Sequence, residues 1–222
     1  MQSRIQTFKP RRGRYSQEQV AAIATSAFLV PLHETVPLSR HFTDSPVILD
    51  IGFGMGDATV IQAAAHPEIG ILAIDVHTPG VGRLLAQLTH QQLTNVRVVG
   101  GDALTLLHDV LPDASLFGVR VYFPDPWPKK RHHKRRIITP TNLDLLARRI
   151  EPSGFLHFAT DWQEYADWAR ECLTTHPLFE LVPEGLPLAS ADTRPRTKFE
   201  SRGIAAGRRI TDLVARRIPS PH

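Results

Sequence analysis

The sequence predicts an α/β fold in which a parallel sheet carries helices on both faces. Three observations support this. From Val47 onward, short β-rich runs alternate with stretches of helical period. The 222 residues, 42% of them apolar, suit one α/β domain with short additions. The predicted strands also exit on carboxylates, at the end of a parallel sheet where ligands gather.

Taken in order, residues 1–15 are polar and basic and read as a flexible N-terminal arm. Residues 16–222 read as a single domain with a basic C-terminal segment. Ser16-Gln17-Glu18-Gln19 matches a capping box, so a helix is expected from Gln17 to about Leu29, ending before Pro31. Strands are expected at Val47–Ile51, Gly70–Asp75, Val96–Gly100, Val119–Phe123 and Gly154–Thr160. Helices are expected at Asp57–Ala65, Gly80–Gln91, Leu104–Val110, Thr141–Ile150 and Trp162–Thr175. The corresponding strand exits carry Asp50, Asp75, Asp102, Asp125 and Asp161, which should form one constellation.

Charge is distributed unevenly. Residues 1–14, 129–136 and 194–217 hold 19 of the 26 Lys and Arg, against only two acids, Glu200 and Asp212. The rest of the chain is strongly acidic. An acidic body with three basic segments fits a nucleic-acid footprint if the segments meet in space, and a solvated face if they do not.

Several classes are excluded or weakened. No apolar stretch approaches the roughly 18 residues of a membrane span. Cys172 is the single cysteine, so no internal disulfide can form, which fits a reducing compartment with the cytoplasm as the default. Its helical setting predicts ordinary packing. The Arg-rich start faintly resembles a transit peptide and reads equally well as an RNA-contacting arm. No histidine cluster has metal-ligand spacing, so no metal is expected. Monomer and homodimer both stay open.

Asp50-Ile51-Gly52-Phe53-Gly54-Met55-Gly56 closes an apolar run as a nucleotide-type cofactor loop would. In a dinucleotide site, pyrophosphate rests on the following helix N-terminus. Here Asp50 opens the loop and Asp57 follows it, so a phosphate would meet carboxylates. S-adenosylmethionine has no phosphate, and its ammonium and sulfonium suit an acidic site. Asp75 stands 19 residues after Gly56, the spacing at which a carboxylate accepts ribose hydroxyls. Asp102 could take the adenine amino group. For any one of these aspartates, a helix cap or turn is the plainer alternative.

The motifs resemble those of the bacterial tRNA (guanine-N7)-methyltransferases. The resemblance rests on Leu49 to Gly56, Asp75-Val76-His77 with Pro79-Gly80-Val81-Gly82, and Phe123-Pro124-Asp125-Pro126-Trp127. It continues through Arg131-His132, Lys134-Arg135-Arg136, Ala159-Thr160-Asp161-Trp162 and Thr197-Lys198-Phe199-Glu200, covering roughly Pro46 to Arg217. It implies a Rossmann-like class I methyltransferase with a mostly parallel seven-stranded sheet, methylating a guanine in the tRNA variable loop. Implied cofactor contacts are Asp50, Asp75, Asp102 and Asp125, joined by Gly52, Gly54 and Gly56 of the loop. Implied substrate contacts are Lys129, Asp161 and Thr197, Lys198, Phe199 and Glu200, with Asp125 also catalytic. The family often has Glu where Asp50 and Asp75 stand, which shortens each reach here by ~1.5 Å.

Lys129, Arg131, Lys134, Arg135 and Arg136 are expected to grip phosphates beside Asp125. Trp127 or Phe123 is expected to stack on the extruded base, with core packing the alternative for Phe123. Rival readings are an exocyclic-amine methyltransferase, a non-catalytic RNA-binding module, and, more weakly, a nicotinamide oxidoreductase.

Overall fold

The computed structural model describes residues 6–8, 17–32 and 38–219, so Ser16 of the capping box lies outside the described residues. Seven strands form one sheet: β1 (Val47–Ile51), β2 (Gly70–Asp75), β3 (Val96–Gly100), β4 (Leu116–Tyr122), β5 (Ile150–Thr160), β6 (Phe179–Leu181) and β7 (Thr211–Arg217). Their order is β3-β2-β1-β4-β5-β7-β6. Strands β1 to β5 run parallel, and β7 lies antiparallel between β5 and β6.

The helices are α1 (Gln17–Thr25), α2 (Leu38–His41), α3 (Asp57–Ala65), α4 (Thr78–His90), α5 (Ala103–Asp109), α6 (Pro140–Arg149), α7 (Gln163–Thr175) and α8 (Lys198–Ala205). Successive residues of β2 enter different cores. Leu72 and Ile74 join Leu106, Leu146 and Leu173, whereas Ile71 and Ala73 pack with Leu84, Leu85 and Leu88. A strand's period of two sends alternate side chains to opposite faces, and helices cover both. Cys172 is buried in α7, as packing required.

The first helix is shorter than expected. It stops at Thr25, and after a turn through Phe28 the chain bridges at Leu29, parallel to Val98 of β3. Val30 donates its amide to the Val98 carbonyl and Val98 donates to that of Phe28, each at 2.8 Å. The outer edge of β3 would otherwise present unpaired backbone groups, so pairing there outweighs continued helix. The β6 strand, β7 and α8 were absent from the periodicity reading. So was the 3₁₀ turn Lys130–Arg135 within the basic run.

The chain steps from β1 to β2 to β3 in one direction and reaches β4 and β5 in the other. The crevice of such a sheet opens where that order reverses, beyond the ends of β1 and β4.

Candidate active site

A cavity of about 320 Å³ lies at this switch point. Its lining includes Asp50, Gly52, Gly54, Asp75, Asp102 and Asp125, with Phe123, Thr197 and Arg202. Four of the five strand-exit carboxylates therefore share one crevice. Asp161 does not line it and instead pairs with Arg208 at 3.2 Å.

Each acid is held by its own element. Asp50 sits inside β1, 8% exposed, and accepts from the Thr59 hydroxyl of α3 at 2.7 Å. Asp75 ends β2 and accepts the Gly54 amide on Oδ2 and the His77 amide on Oδ1, both at 2.7 Å. Burial pushes both carboxyls above their ordinary range, against the Thr59 bond and Arg120 at Asp50 and against the backbone amides at Asp75. Asp102 takes the plainer role as well, capping α5 by accepting the Leu104 amide at 3.0 Å.

The three loop glycines have φ of 77°, 62° and 81°. Gly54 needs that conformation to turn its amide toward Asp75. Gly56 does not line the cavity, which corrects its expected contact. A Cβ there would stand 2.9 Å from Leu84 Cδ1, so its smallness lets α3 and α4 approach. A Cβ on Gly52 or Gly54 would meet nothing within 4 Å, so bare backbone faces open space. Asp57 is paired with Arg83 at 2.6 Å and is not an isolated charge facing the ligand. The case against a bound phosphate therefore rests on Asp50 and Asp75. A ligand bearing cations and hydroxyls fits this donor set.

Asp125 sits in a loop bracketed by two left-handed residues that are not glycine, Phe123 at φ 52° and Trp127 at φ 46°. Such conformations cost energy and persist only when surroundings impose them. The Phe123 amide is held by the Ala159 carbonyl at 2.8 Å, and Arg136 Nε donates to the Pro126 carbonyl at 3.0 Å. Between these anchors Asp125 is half-buried and faces the cavity. Trp127 is only 3% exposed, so it cannot stack on a base. Of the two aromatics expected to stack, Phe123 is the one that lines the cavity, together with Phe8, Phe53 and Tyr122.

The basic run divides by burial. Lys129, Lys130, Arg131 and Lys134, which follow Asp125 in sequence, are exposed. Arg135 is half-buried, with its guanidinium 4.3 Å from the Trp127 ring centre. Arg136 is 0% exposed and corrects its expected phosphate contact. Both its terminal nitrogens hold Glu164, one at 3.2 Å, and its plane lies over Tyr165 and Trp168. These hydrogen bonds hold the Glu164 carboxyl below its usual range.

Thr197 caps α8 and lines the cavity. Glu200 closes a capping box with Thr197, and both its oxygens also accept from Arg194, so its carboxylate orders the motif. The expected substrate contact at Glu200 therefore falls on a carboxylate already held by Arg194 and by the Thr197 amide. The backbone of Lys198 and Phe199 begins α8, while their side chains lie outside the described residues.

A family model described as a putative methyltransferase matches residues 44–213. A tRNA (guanine-N(7)-)-methyltransferase of Streptomyces coelicolor is 47% identical over 224 residues, spanning 97% of this chain and 82% of that protein. The chain belongs to the tRNA (guanine-N7-)-methyltransferase family. Its fold is the Rossmann-like class I methyltransferase sheet. The 16S rRNA methyltransferase KamB superposes with a TM-score of 0.60 at 15% identity, over 84% of this chain and 95% of that one. A Haemonchus contortus phosphoethanolamine N-methyltransferase in complex with S-adenosyl-L-methionine reaches 0.51 at 14% identity, over 82% and 51%.

Two features of this family member escaped the sequence reading. Thr7 and Phe8 line the cavity, and the Thr7 carbonyl accepts from Trp127 Nε1 at 3.0 Å. Part of the arm expected to be flexible thus lines the cavity, and the aromatic Phe8 in that polar stretch was the available cue. Arg194, which opens the basic segment 194–217, is only 7% exposed. Its cue was the pair of acids, Glu200 and Asp212, standing inside otherwise basic segments.

Proposed function

We propose that this chain transfers a methyl group from S-adenosylmethionine to N7 of a guanine in the tRNA variable loop. The observation that carries the reading is the convergence of Asp50, Asp75, Asp102 and Asp125 on one crevice at the sheet's switch point. Family membership supplies the reaction class, and the exposed cations that follow Asp125 in sequence support a polyanionic substrate.

The cofactor, when bound, supplies an electrophilic methyl on a sulfonium. Asp50 offers its carboxylate to the ammonium end. Asp75 spends one acceptor site per oxygen on backbone amides and keeps others for ribose hydroxyls. Asp102, just beyond β3, would accept from the adenine amino group.

Guanine N7 has a lone pair and no proton, so attack on the methyl needs no general base. The protein's contribution is alignment. Asp125 accepts from the guanine N1–H and amino group, which presents N7 to the methyl. Its charge also offsets the cation that develops on the purine. The bracing of its loop by Arg136 and by Ala159 keeps the carboxylate in place. Phe123 supplies a face for the base, and Lys129, Arg131 and Lys134 take phosphates. We read residues 16–222 as one methyltransferase domain acting in the cytoplasm, preceded by a basic N-terminal arm, residues 1–15, of which Thr7 and Phe8 line the cavity.

The test is methylation of an unmodified tRNA transcript with labelled cofactor, followed by location of the new methyl. A label on an exocyclic amine, or none on any transcript, would reject the reading.

A further inference from the structure

Arg194 lies between β6 and α8, with its side chain 2% exposed. One edge of its guanidinium holds Glu200, Nη1 to Oε2 at 2.8 Å and Nη2 to Oε1 at 3.1 Å. The other edge holds Asp212 of β7, Nε to Oδ1 at 2.8 Å and Nη2 to Oδ2 at 3.1 Å. Its carbon centre stands 5.5 Å from the Tyr122 ring and 5.3 Å from the Phe123 ring. Only a planar fork can serve two carboxylates bidentately and lie against aromatic rings at once; a lysine cannot.

These contacts join three places that matter to the crevice. Tyr122 and Phe123 close β4 and lead directly to Asp125. Glu200 closes the cap that sets Thr197, which lines the same cavity as Asp125. Asp212 is fixed behind both by His157, whose Nε2 lies 2.9 Å from it and whose Nδ1 lies 3.0 Å from the Tyr122 hydroxyl. Gln62 donates to the adjacent Thr193 carbonyl at 2.7 Å, so the Arg194 segment is also anchored to α3, the helix that follows the glycine loop. A buried charge cluster of this kind is roughly neutral for stability beside an apolar replacement, so stability alone does not explain it.

We propose that Arg194 is a positioning residue for methyl transfer, setting Thr197 at the start of α8 against the Phe123–Asp125 wall before RNA arrives. This rests on the reading of the site given above. The fork acts through Thr197 and touches neither cofactor nor base.

The test uses the full-length protein, unmodified tRNA transcript and five variants: Arg194→Lys, Thr197→Ala, their combination, Asp212→Asn, and Asp212→Asn combined with Thr197→Ala. Turnover of the wild type on the transcript is measured first; failure there rejects the methyltransferase reading itself and is distinct from any variant result. Calorimetric S-adenosylmethionine binding then reports that the cofactor half is intact. Arg194→Lys is expected to bind cofactor as the wild type does and to lose about tenfold to a hundredfold in kcat, with KM for tRNA little changed. Adding Thr197→Ala should cost nothing more, because the two changes remove one interaction. Wild-type kcat in Arg194→Lys, or losses that multiply in the double variant, would overturn the proposal. Should Arg194→Lys fail to bind cofactor, Asp212→Asn, which keeps shape and a hydrogen bond, must show the same kcat loss and the same non-additivity. Wild-type kcat there would overturn it equally.

Discussion

The Gly54 amide donates to Asp75 Oδ2 at 2.7 Å, which makes the glycine loop and the end of β2 a single unit. The carboxylate proposed to take the ribose hydroxyls is thus also the one that shapes the loop.

That coupling gives cofactor binding a pH dependence. Burial raises the Asp50 and Asp75 carboxyls above the ordinary 3.8. A bound cation favours their ionised forms, so protons compete with the ligand. Affinity for S-adenosylmethionine should weaken as pH falls, beginning above pH 3.8, and binding in that window should release protons. Calorimetry in two buffers of different ionisation enthalpy measures this. A pH-independent affinity, or proton uptake, would count against the assigned contacts.

Replacing Asp125 with Ala should lower turnover by roughly 100-fold to 1000-fold while cofactor affinity falls much less. Steady-state kinetics on a tRNA transcript, paired with calorimetry, separates the two quantities. Undiminished turnover in this variant would remove Asp125 from the mechanism.

The basic run should respond to mutation in two ways. Lys134 is exposed, so Lys134→Ala should leave Tm unchanged and flatten the slope of log affinity against log salt by about 0.7–0.9. Arg136 is buried on Glu164 and braces the Pro126 carbonyl. Arg136→Met should lower stability by about 2 kcal/mol and leave the salt slope alone. The reverse pattern in fluorescence binding and thermal melts would contradict the division by burial.

His157 is wholly buried, and burial pushes its imidazole below the ordinary 6.5, against the pull of Asp212. Asp212 can only accept, so Nε2 carries the proton and Nδ1 accepts from Tyr122. The neutral ring contributes stability present above the unfolded value of 6.5 and lost as pH falls toward the lower folded value. Nitrogen-detected NMR should show this ring staying neutral while exposed histidines titrate. An ordinary titration near 6.5 would contradict it.

The central βα units were legible because each strand is a short apolar run and each helix has its own period. Val47–Ile51, Asp57–Ala65, Gly70–Asp75 and Val96–Gly100 match the expected limits. Strand β7 was missed for a physical reason: Thr211–Arg217 carries two terminal arginines that read as RNA contacts, and its apolar alternation is confined to Leu213 and Ala215. The site was partly legible in the same way. Aspartates at strand ends announce a crevice, since topology alone brings them together. Which cation of a basic run is buried depends on partners distant in sequence. Glu164 is 28 residues from Arg136 and Asp212 is 18 from Arg194, separations that no local pattern reveals.

The most direct measurement is the position of the methyl group. Unmodified tRNA transcript, labelled S-adenosylmethionine and the wild-type protein are incubated, and the product is digested and resolved by mass spectrometry. Label on N7 of a variable-loop guanine is the expected result. Label on an exocyclic amine, or a transcript bound tightly and left unmethylated, would contradict the account.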